Sequence, residues 1–242
     1  MKICAAQTKP VAGEIEINIG KHKKLIDLAV LQKADLIIFP ELSLTGYEPT
    51  LARQLATTIN DERLNDLQLI SDVHRVTIGA GMPIRTSSGI LISMVFFRPS
   101  KTREIYSKQY LHEDEYPYFI NGQEQILLTA GKKKMAPAIC YELSVPAHPR
   151  EAFKMGAEIY FASVAKSADG VQKAIKTLSG VAKKYSMTVL MSNCVGWCDG
   201  VQCAGQTSIW NERGFLAGQL NDTDEGILVM DIATQQIIEK TI

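Results

Sequence analysis

The fold is decided by residues 2–40, KICAAQTKPVAGEIEINIGKHKKLIDLAVLQKADLIIFP, where two short apolar runs flank a longer amphipathic stretch. Residues 2–7 and 35–39 are apolar enough for buried strands, and residues 18–33 carry apolar side chains at roughly helical spacing. A strand, a helix and a second strand in such close succession predict a βαβ unit with parallel strands. An α/β fold is therefore expected.

Beyond this unit, helical and strand-like segments continue to alternate. Helices are predicted for residues 61–74, 146–155 and 171–185. Strands are predicted for residues 76–84, 90–97, 104–107, 125–129, 134–139, 158–162, 187–193, 202–210 and 226–231, and a short tail is predicted from residue 236. Strands that arrive singly or as hairpins between helices imply mixed sheets with helices packed outside. Because no change of composition marks a boundary, residues 1–242 are predicted to form a single domain.

Composition argues against several classes of protein. Lys plus Arg and Asp plus Glu each number 26, so the net charge is zero, unlike that of a general nucleic-acid or acidic-membrane binder. No run approaches the ~18 apolar residues of a membrane helix, and the first residues do not resemble a signal peptide. The cysteines are Cys4, Cys140, Cys194, Cys198 and Cys203. Their odd number and irregular spacing predict reduced thiols in a cytoplasmic protein.

Three reactive side chains, Glu41, Lys108 and Cys140, each come directly after a predicted strand. Catalytic groups of α/β proteins tend to lie at such places. Taken singly, each residue has an ordinary explanation as a small buried side chain or a solvated loop charge. Together they suit acyl transfer, because a carboxylate can take the proton of a thiol and an ammonium can stabilise an oxyanion. The same carboxylic acid can then protonate the leaving amine.

Four stretches resemble the motifs of the nitrilase superfamily of carbon–nitrogen hydrolases. They are FPELSLTGY at residues 39–47, YSKQYL at 106–111, AICYE at 138–142, and the region from MSNCVG at 191–196 to GQTS at 205–208. Their order and spacing are also similar to those of the family, and the resemblance spans nearly the whole chain. It implies a four-layer α-β-β-α sandwich with two stacked mixed sheets.

The resemblance also implies a role for each residue of a Glu-Lys-Cys triad. Glu41 would be the general base and later the acid, and Cys140 would be the thiol nucleophile that forms a thioester acyl-enzyme. Lys108 and the backbone N–H of Tyr141 would hold the oxyanion. The implied enzyme needs no cofactor and no metal, and members of the family commonly pair through helices as homodimers.

Many members carry a second glutamate shortly after the lysine. Glu115 fits that place best, and Glu113 is the rival. The implied substrate-binding residues are Tyr47, Tyr118, Val164, Ala165 and Lys166. Lys166 could pair with a substrate carboxylate or be a solvated loop charge, and the solvated interpretation is slightly favoured.

The implied reaction is the hydrolysis of a small non-peptide amide, an ω-amide or an N-carbamoyl amine, with release of ammonia. Tyr141 beside the nucleophile is more typical of amide-cleaving branches than of true nitrilases. A nitrile-hydrolysing member and a non-catalytic binding protein that kept the fold are the alternatives. After Tyr141, this chain has Glu142-Leu-Ser-Val-Pro146 where many relatives show Asp-Arg-Phe-Pro-Glu, so no particular branch is assigned.

Two other patterns suggest different nucleophilic chemistry. Ser163 and Lys166 match the Ser-x-x-Lys pattern of serine acyl-transfer enzymes, but the companion motifs are missing. His148 could serve a Cys–His enzyme, although the flanking Pro146 and Pro149 indicate the start of a helix.

A metal site is suggested only weakly. Cys194, Cys198 and Cys203 offer three thiols, but their spacing is not a usual zinc pattern. No fourth cysteine and no paired histidine lie nearby in the sequence, so no metal is predicted.

Overall fold

A computed structural model describes all 242 residues as two stacked β-sheets with helices outside. The helices are α1 (Ile15–Leu31), α2 (Ala52–Leu55), α3 (Asn65–His74), α4 (Ala147–Lys154) and α5 (Ala168–Tyr185). The strands are β1 (Lys2–Gln7), β2 (Leu36–Ile38), β3 (Thr77–Arg85), β4 (Ile90–Phe97), β5 (Glu104–Ser107), β6 (Leu128–Ala130), β7 (Lys133–Ile139), β8 (Ile159–Val164), β9 (Thr188–Asn193), β10 (Val195–Cys198), β11 (Val201–Ala204), β12 (Ser208–Trp210), β13 (Leu216–Gln219), β14 (Gly226–Asp231) and β15 (Ile237–Thr241).

The first sheet has seven strands in the order β15-β14-β1-β2-β3-β4-β5. Strands β1, β2 and β3 are parallel, with Cys4 opposite Ile37 and Ile37 opposite Ile78. The predicted βαβ unit is therefore confirmed. Strands β3 and β4, which cover most of the predicted strands at 76–84 and 90–97, form an antiparallel hairpin, and β5 adds to its edge.

The second sheet has six strands in the order β13-β12-β9-β8-β7-β6. Its centre is parallel, because β7 pairs with β8 and β8 pairs with β9 in the same direction. After β9, the chain forms a separate two-stranded antiparallel hairpin of β10 and β11. Parallel strands place their carboxyl ends at one edge of the sheet, and the residues that follow β7, β8 and β9 gather there.

Three apolar layers hold the sandwich together. Side chains such as Ile38, Phe161 and Leu190 fill the space between the two sheets. A second cluster lies under α1 and α3, and a third lies between the second sheet and α5. Burying one such side chain contributes about 1.5–3 kcal/mol. The layer order α-β-β-α confirms the predicted four-layer sandwich.

Several predicted boundaries were wrong. The chain from residue 236 is not a tail, because β15 pairs with β14 at the edge of the first sheet. Its side chains are only partly buried, which hides the apolar signal of a strand. The predicted strand at 202–210 is split between β11 and β12, because Gly205 and Gln206 turn the chain with φ of +51° and +55°. No helix of the structure has both the length and the apolar character needed to cross a bilayer.

Candidate active site

The side chains of Glu41, Lys108 and Glu115 meet in direct contact inside the protein. Lys108 Nζ donates hydrogen bonds to Glu41 Oε1 over 2.7 Å and to Glu115 Oε1 over 2.6 Å. All three side chains are almost completely buried. Glu41 follows β2 and Lys108 follows β5, so both residues are positioned by strands of the first sheet. A buried ammonium between two carboxylates strengthens each hydrogen bond, since little water screens the charges.

The backbone turn that carries Glu41 packs directly on β3. Leu44 N–H donates to the carbonyl of Gly81, and Leu42 adopts a positive φ of +49°. A Cβ at Gly81 would lie only 2.3 Å from Leu42 N and 2.6 Å from Pro40 O. Only glycine therefore permits this close approach, which fixes the position of the Glu41 backbone.

Glu115 is positioned by a short 3₁₀ helix and by its neighbours. The helix covers Glu113–Glu115, and the backbone N–H of His112 donates to Glu115 Oε2 over 2.7 Å. The hydroxyl of Tyr47 donates to Glu115 Oε1 over 2.9 Å. Glu113, the rival for this position, is exposed to solvent. Of the two, Glu115 is the one that contacts Lys108.

Cys140 lies at a strained turn between β7 and a second 3₁₀ helix, Cys140–Ser144. Its φ of +43° is in the left-handed region, which costs a residue with a Cβ of the order of 1–3 kcal/mol. The turn is held from behind by Glu142, whose carboxylate accepts from the backbone N–H of Ile139 over 2.7 Å. The strain presents the thiol to the pocket instead of the sheet interior.

The protonation states follow from burial and charge. Burial raises the pKa of the Glu41 carboxyl, against the opposing effect of the Lys108 ammonium. Burial also raises the pKa of the Cys140 thiol, and the Glu41 carboxylate raises it further. For Lys108, burial lowers the pKa, but attraction to Glu41, Cys140 and Glu115 brings it above its usual value. The resting site therefore holds a neutral thiol beside a charged ammonium.

One oxygen of this site has no hydrogen-bond partner. Glu41 Oε1 accepts from Lys108, but Glu41 Oε2 is buried without a donor. A buried carboxylate oxygen without a donor is destabilising, and such groups cluster at functional sites. Oε2 is thus the free acceptor for a proton from a neighbouring group.

A pocket of about 340 Å³ opens over Cys140. Among the predicted substrate-binding residues, Tyr47, Ala165 and Lys166 line it, together with Tyr141. A Cβ at Gly170 would lie 3.3 Å from the Cβ of Lys166, so the Lys166 side chain passes over this glycine.

The structure does not bring the other two predicted substrate-binding residues to this pocket. Tyr118 lies in a separate surface depression beside Arg53 and Arg85. Val164 is fully buried in β8 and packs toward α5. Ala165 and Lys166, which follow this strand, line the pocket instead.

The two alternative nucleophilic patterns are engaged elsewhere. Ser163 is buried, and its hydroxyl donates to the carbonyl of Phe39 over 2.8 Å. His148 forms hydrogen bonds with the hydroxyls of Tyr106 and Tyr160, each over 2.8 Å. Burial lowers the pKa of His148 to about 4, so its ring is neutral. Neither side chain lines the pocket.

Sequence reasoning missed two groups of residues around the site. Glu142 joins the cysteine turn to the lysine segment, and only its place two residues after Cys140 could have drawn attention to it. Cys198 and Cys203 line the pocket together with Cys140. Their spacing along the chain gave no sign of this contact, because it depends on the β10–β11 hairpin.

Comparison with known proteins identifies the family of this chain. A family model described as carbon-nitrogen hydrolase matches residues 2–240. The chain belongs to the carbon–nitrogen hydrolase family. This confirms the predicted nitrilase-superfamily membership and, with it, the predicted class of enzyme, hydrolases of carbon–nitrogen bonds.

Two curated relatives in this family differ in length. The chain is 25% identical to the glutamine-dependent NAD(+) synthetase of Acinetobacter baylyi, with 97% of this chain and 44% of that protein covered. It therefore spans less than half the length of that synthetase. It is also 25% identical to the 2-oxoglutaramate amidase of Bacillus subtilis, with 93% of this chain and 91% of that protein covered.

Solved structures share the fold. The amidase from Nesterenkonia sp. AN1 superposes with a TM-score of 0.87 at 21% identity, with 96% of this chain and 92% of that chain covered. Another structure of that amidase, a mutant, carries the acetamide moiety of fluoroacetamide covalently attached at its active site cysteine.

Proposed function

We propose that this protein hydrolyses a small primary amide through a thioester on Cys140 and releases ammonia. The observation that carries the proposal is the buried contact of Lys108 with both Glu41 and Glu115. Lys108 and Glu115 line the pocket that contains Cys140. The contact supplies a fixed positive charge and a free carboxylate oxygen beside a thiol. Together these three groups can supply the base, the oxyanion stabiliser and the nucleophile of acyl transfer.

The first half-reaction forms the acyl-enzyme. Glu41 Oε2 accepts the thiol proton, and the Cys140 sulfur attacks the amide carbon. The negative charge that develops on the carbonyl oxygen is stabilised by Lys108 Nζ and the backbone N–H of Tyr141. Glu41 then returns the proton to the nitrogen, the carbon–nitrogen bond breaks, and ammonia leaves a thioester behind.

The second half-reaction restores the enzyme. Glu41 removes a proton from a water molecule, which attacks the thioester carbon. The carbon–sulfur bond breaks, the carboxylic acid leaves, and the Cys140 sulfur takes the proton from Glu41. Glu115 does not touch the reacting atoms in this scheme. It holds the Lys108 ammonium in place and keeps it charged.

An ω-amide with a free carboxylate is the substrate class that we favour. Lys166 lines the pocket, and no ion pair of the structure uses its ammonium. Two relatives are named for glutamine and 2-oxoglutaramate, which are ω-amides that carry a carboxylate. The pocket of about 340 Å³ is at the small end of the range for ligand sites. N-carbamoyl amines and nitriles are the alternatives.

The experiment is ammonia release from primary amides, ω-amides, ureido acids and nitriles by the native protein and by Cys140→Ala. Cys4→Ala is the matched control, because Cys4 is buried in β1, away from the pocket. We expect an ω-amide to turn over with the native protein and the control, and Cys140→Ala to be inactive. Equal ammonia release by Cys140→Ala, or no turnover of any compound, would contradict the proposal. The second outcome would favour a non-catalytic binding protein.

Two further proposals concern the setting in which the enzyme works. We propose a homodimer that pairs through α4 and α5, because Phe153 and Met155 are exposed there and Phe153 lies against Tyr185. Light scattering of the native protein and of Phe153→Glu tests this, and a monomeric native protein would contradict it.

We also propose a reducing compartment such as the cytoplasm, because all five cysteines are free thiols.

A further inference from the structure

Three cysteines meet at one point beside the catalytic pocket. Cys194 follows β9, Cys198 ends β10 and Cys203 lies in β11. Their Sγ atoms all lie within 4.8 Å of one another, and the Cys194 and Cys198 sulfurs are 3.5 Å apart. All three are buried and none forms a disulfide.

The β10–β11 hairpin explains why the sequence spacing conceals this cluster. Asp199 and Gly200 form a tight turn with positive φ angles of +46° and +72°. Strand β11 then runs back along β10 and places Cys203 opposite Gly196. The third thiol reaches the other two by strand pairing, which the familiar zinc spacings do not describe.

We propose that Cys194, Cys198 and Cys203 form a binding site for one thiophilic metal ion, such as Zn²⁺. Tetrahedral zinc holds thiolate sulfurs at about 2.3 Å, which separates neighbouring sulfurs by roughly 3.8 Å. The observed sulfur separations, 3.5 Å for one pair and no more than 4.8 Å for any, bracket that value. Small side-chain adjustments are enough to complete the three-sulfur face.

The fourth position of such an ion is open toward the pocket. Cys198 and Cys203 line the pocket that also contains Cys140. A site with three protein ligands leaves one position for water or another small ligand. The ion would therefore share the pocket with the substrate. A buried three-sulfur site that opens to solvent on one side also has an entry path for the metal.

The chemistry of the cluster agrees with its geometry. Hydrogen bonds from the Cys194 and Cys203 thiols lower the pKa of the Cys198 thiol, which favours its thiolate form. A thiolate is the form of cysteine that binds metals. Binding of the ion would displace thiol protons, so the affinity should rise with pH.

The test is a titration of the reduced protein with Co²⁺ alone, followed by the sulfur-to-cobalt charge-transfer absorption. We expect the band to saturate at one equivalent and to disappear when Zn²⁺ displaces the cobalt. Cys140→Ala and Cys4→Ser should keep the band, while Cys198→Ser and Cys203→Ser should each lose it. Absence of the band in the native protein would overturn the proposal, as would its loss in Cys140→Ala.

Folding of the serine variants is checked by circular dichroism before the titration. Loss of the band in every natively folded variant supports the site, and an unchanged band in any natively folded variant overturns it. If neither variant folds, the reduced native protein is alkylated before and after metal addition, and peptides are mapped by mass. Protection of the three cysteines by one equivalent of Zn²⁺ then supports the site, and unchanged alkylation of them overturns it. These readouts do not depend on amidase activity.

Discussion

The carboxylate of Glu142 accepts a hydrogen bond from the backbone N–H of Gln109 over 2.6 Å. Gln109 directly follows Lys108, and Glu142 lies two residues after Cys140. The same carboxylate accepts from the backbone N–H of Ile139, which precedes Cys140. One buried side chain thus joins the segment that carries the ammonium to the turn that carries the thiol. It is a positioning residue, because it lies outside the pocket lining.

Glu142→Gln should lower kcat more than it changes KM. The amide keeps one acceptor oxygen but places an NH₂ group opposite one of the two backbone N–H donors, Gln109 or Ile139. One buried donor then loses its partner, at a cost of about 1–3 kcal/mol. A displacement of the thiol relative to Lys108 by about 1 Å costs up to roughly 10²-fold in rate. Steady-state kinetics beside Glu158→Gln, an exposed glutamate paired with Lys133, checks this. An unchanged kcat would refute the positioning role.

Glu41→Gln should lower kcat/KM by about 10²–10⁴-fold, because the thiol loses its proton acceptor. The amide can still accept a hydrogen bond from Lys108, so the fold should survive. The control is Glu113→Gln, an exposed residue of the same charge. Kinetics and the rate of Cys140 alkylation are measured for both variants. Comparable activity in the two would show that Glu41 is not the base.

The acid limb of the kcat/KM profile should lie above pH 4.5. The proposed reaction needs an ionised Glu41, and burial raises the pKa of this carboxyl above its ordinary value of 4.5. Activity is therefore lost as pH falls through the raised pKa. A pH–rate profile with a neutral amide measures the limb without titration of the substrate. An acid limb at or below pH 4.5 would mean that burial does not raise the pKa of the Glu41 carboxyl.

Lys166→Met should raise KM for an anionic ω-amide and leave KM for a neutral amide of similar size nearly unchanged. Methionine keeps much of the side-chain volume over Gly170 and removes the charge. Lys173→Met, at an exposed position on α5, is the matched control. Kinetics with the two amides separate charge recognition from a general disturbance of the pocket. Equal effects on both substrates would leave Lys166 as a solvated charge.

The contribution of His148 to stability should grow as pH rises from 4 to 6.5. Burial lowers its pKa from 6.5 to about 4, so only the unfolded chain takes up a proton in that window. Glu142 acts in the opposite direction, because burial raises its pKa to about 7 and the folded state holds the extra proton. Native protein is compared with His148→Gln, in which Glu142, whose Oε2 lies 3.4 Å from His148 Nε2, is retained.

Urea unfolding at pH 5 and pH 7 measures that comparison. We expect the stability advantage of the native protein over His148→Gln to be about 2 kcal/mol larger at pH 7 than at pH 5. His74→Gln, an exposed histidine at the end of α3, should show no such change. A pH-independent difference for His148→Gln would contradict the neutral, buried state of the ring.

The short apolar runs between helices predicted mixed sheets with helices outside, and the resemblance to the nitrilase superfamily implied the four layers. The sequence also predicted that Glu41, Lys108 and Cys140 each follow a strand. In α/β sheets, ligands bind beyond the carboxyl ends of the strands, so this position indicates a functional site. Prediction from the sequence failed where the apolar pattern of an element is weak, or where a contact joins residues that are far apart in the chain. Strand β15 was missed because its edge position leaves it partly exposed.

The same limits apply to the site. Val164 was predicted to bind substrate, but its side chain faces α5. Side chains alternate between the two faces of a strand, and the sequence alone does not show which face each one takes. Tyr118 follows the Glu113–Glu115 turn and lies in a different depression. The cluster of Cys194, Cys198 and Cys203 depends on hairpin pairing, so no linear spacing could reveal it.

The most direct test of the account is mass spectrometry of the intact protein, acid-quenched shortly after mixing with an ω-amide that releases ammonia. We predict an adduct whose mass equals that of the amide minus ammonia, located by peptide mapping on Cys140. The adduct should be absent from Cys140→Ala and present in Cys4→Ala. Ammonia release by Cys140→Ala, or an adduct on any other residue of the native protein, would contradict a thioester on Cys140.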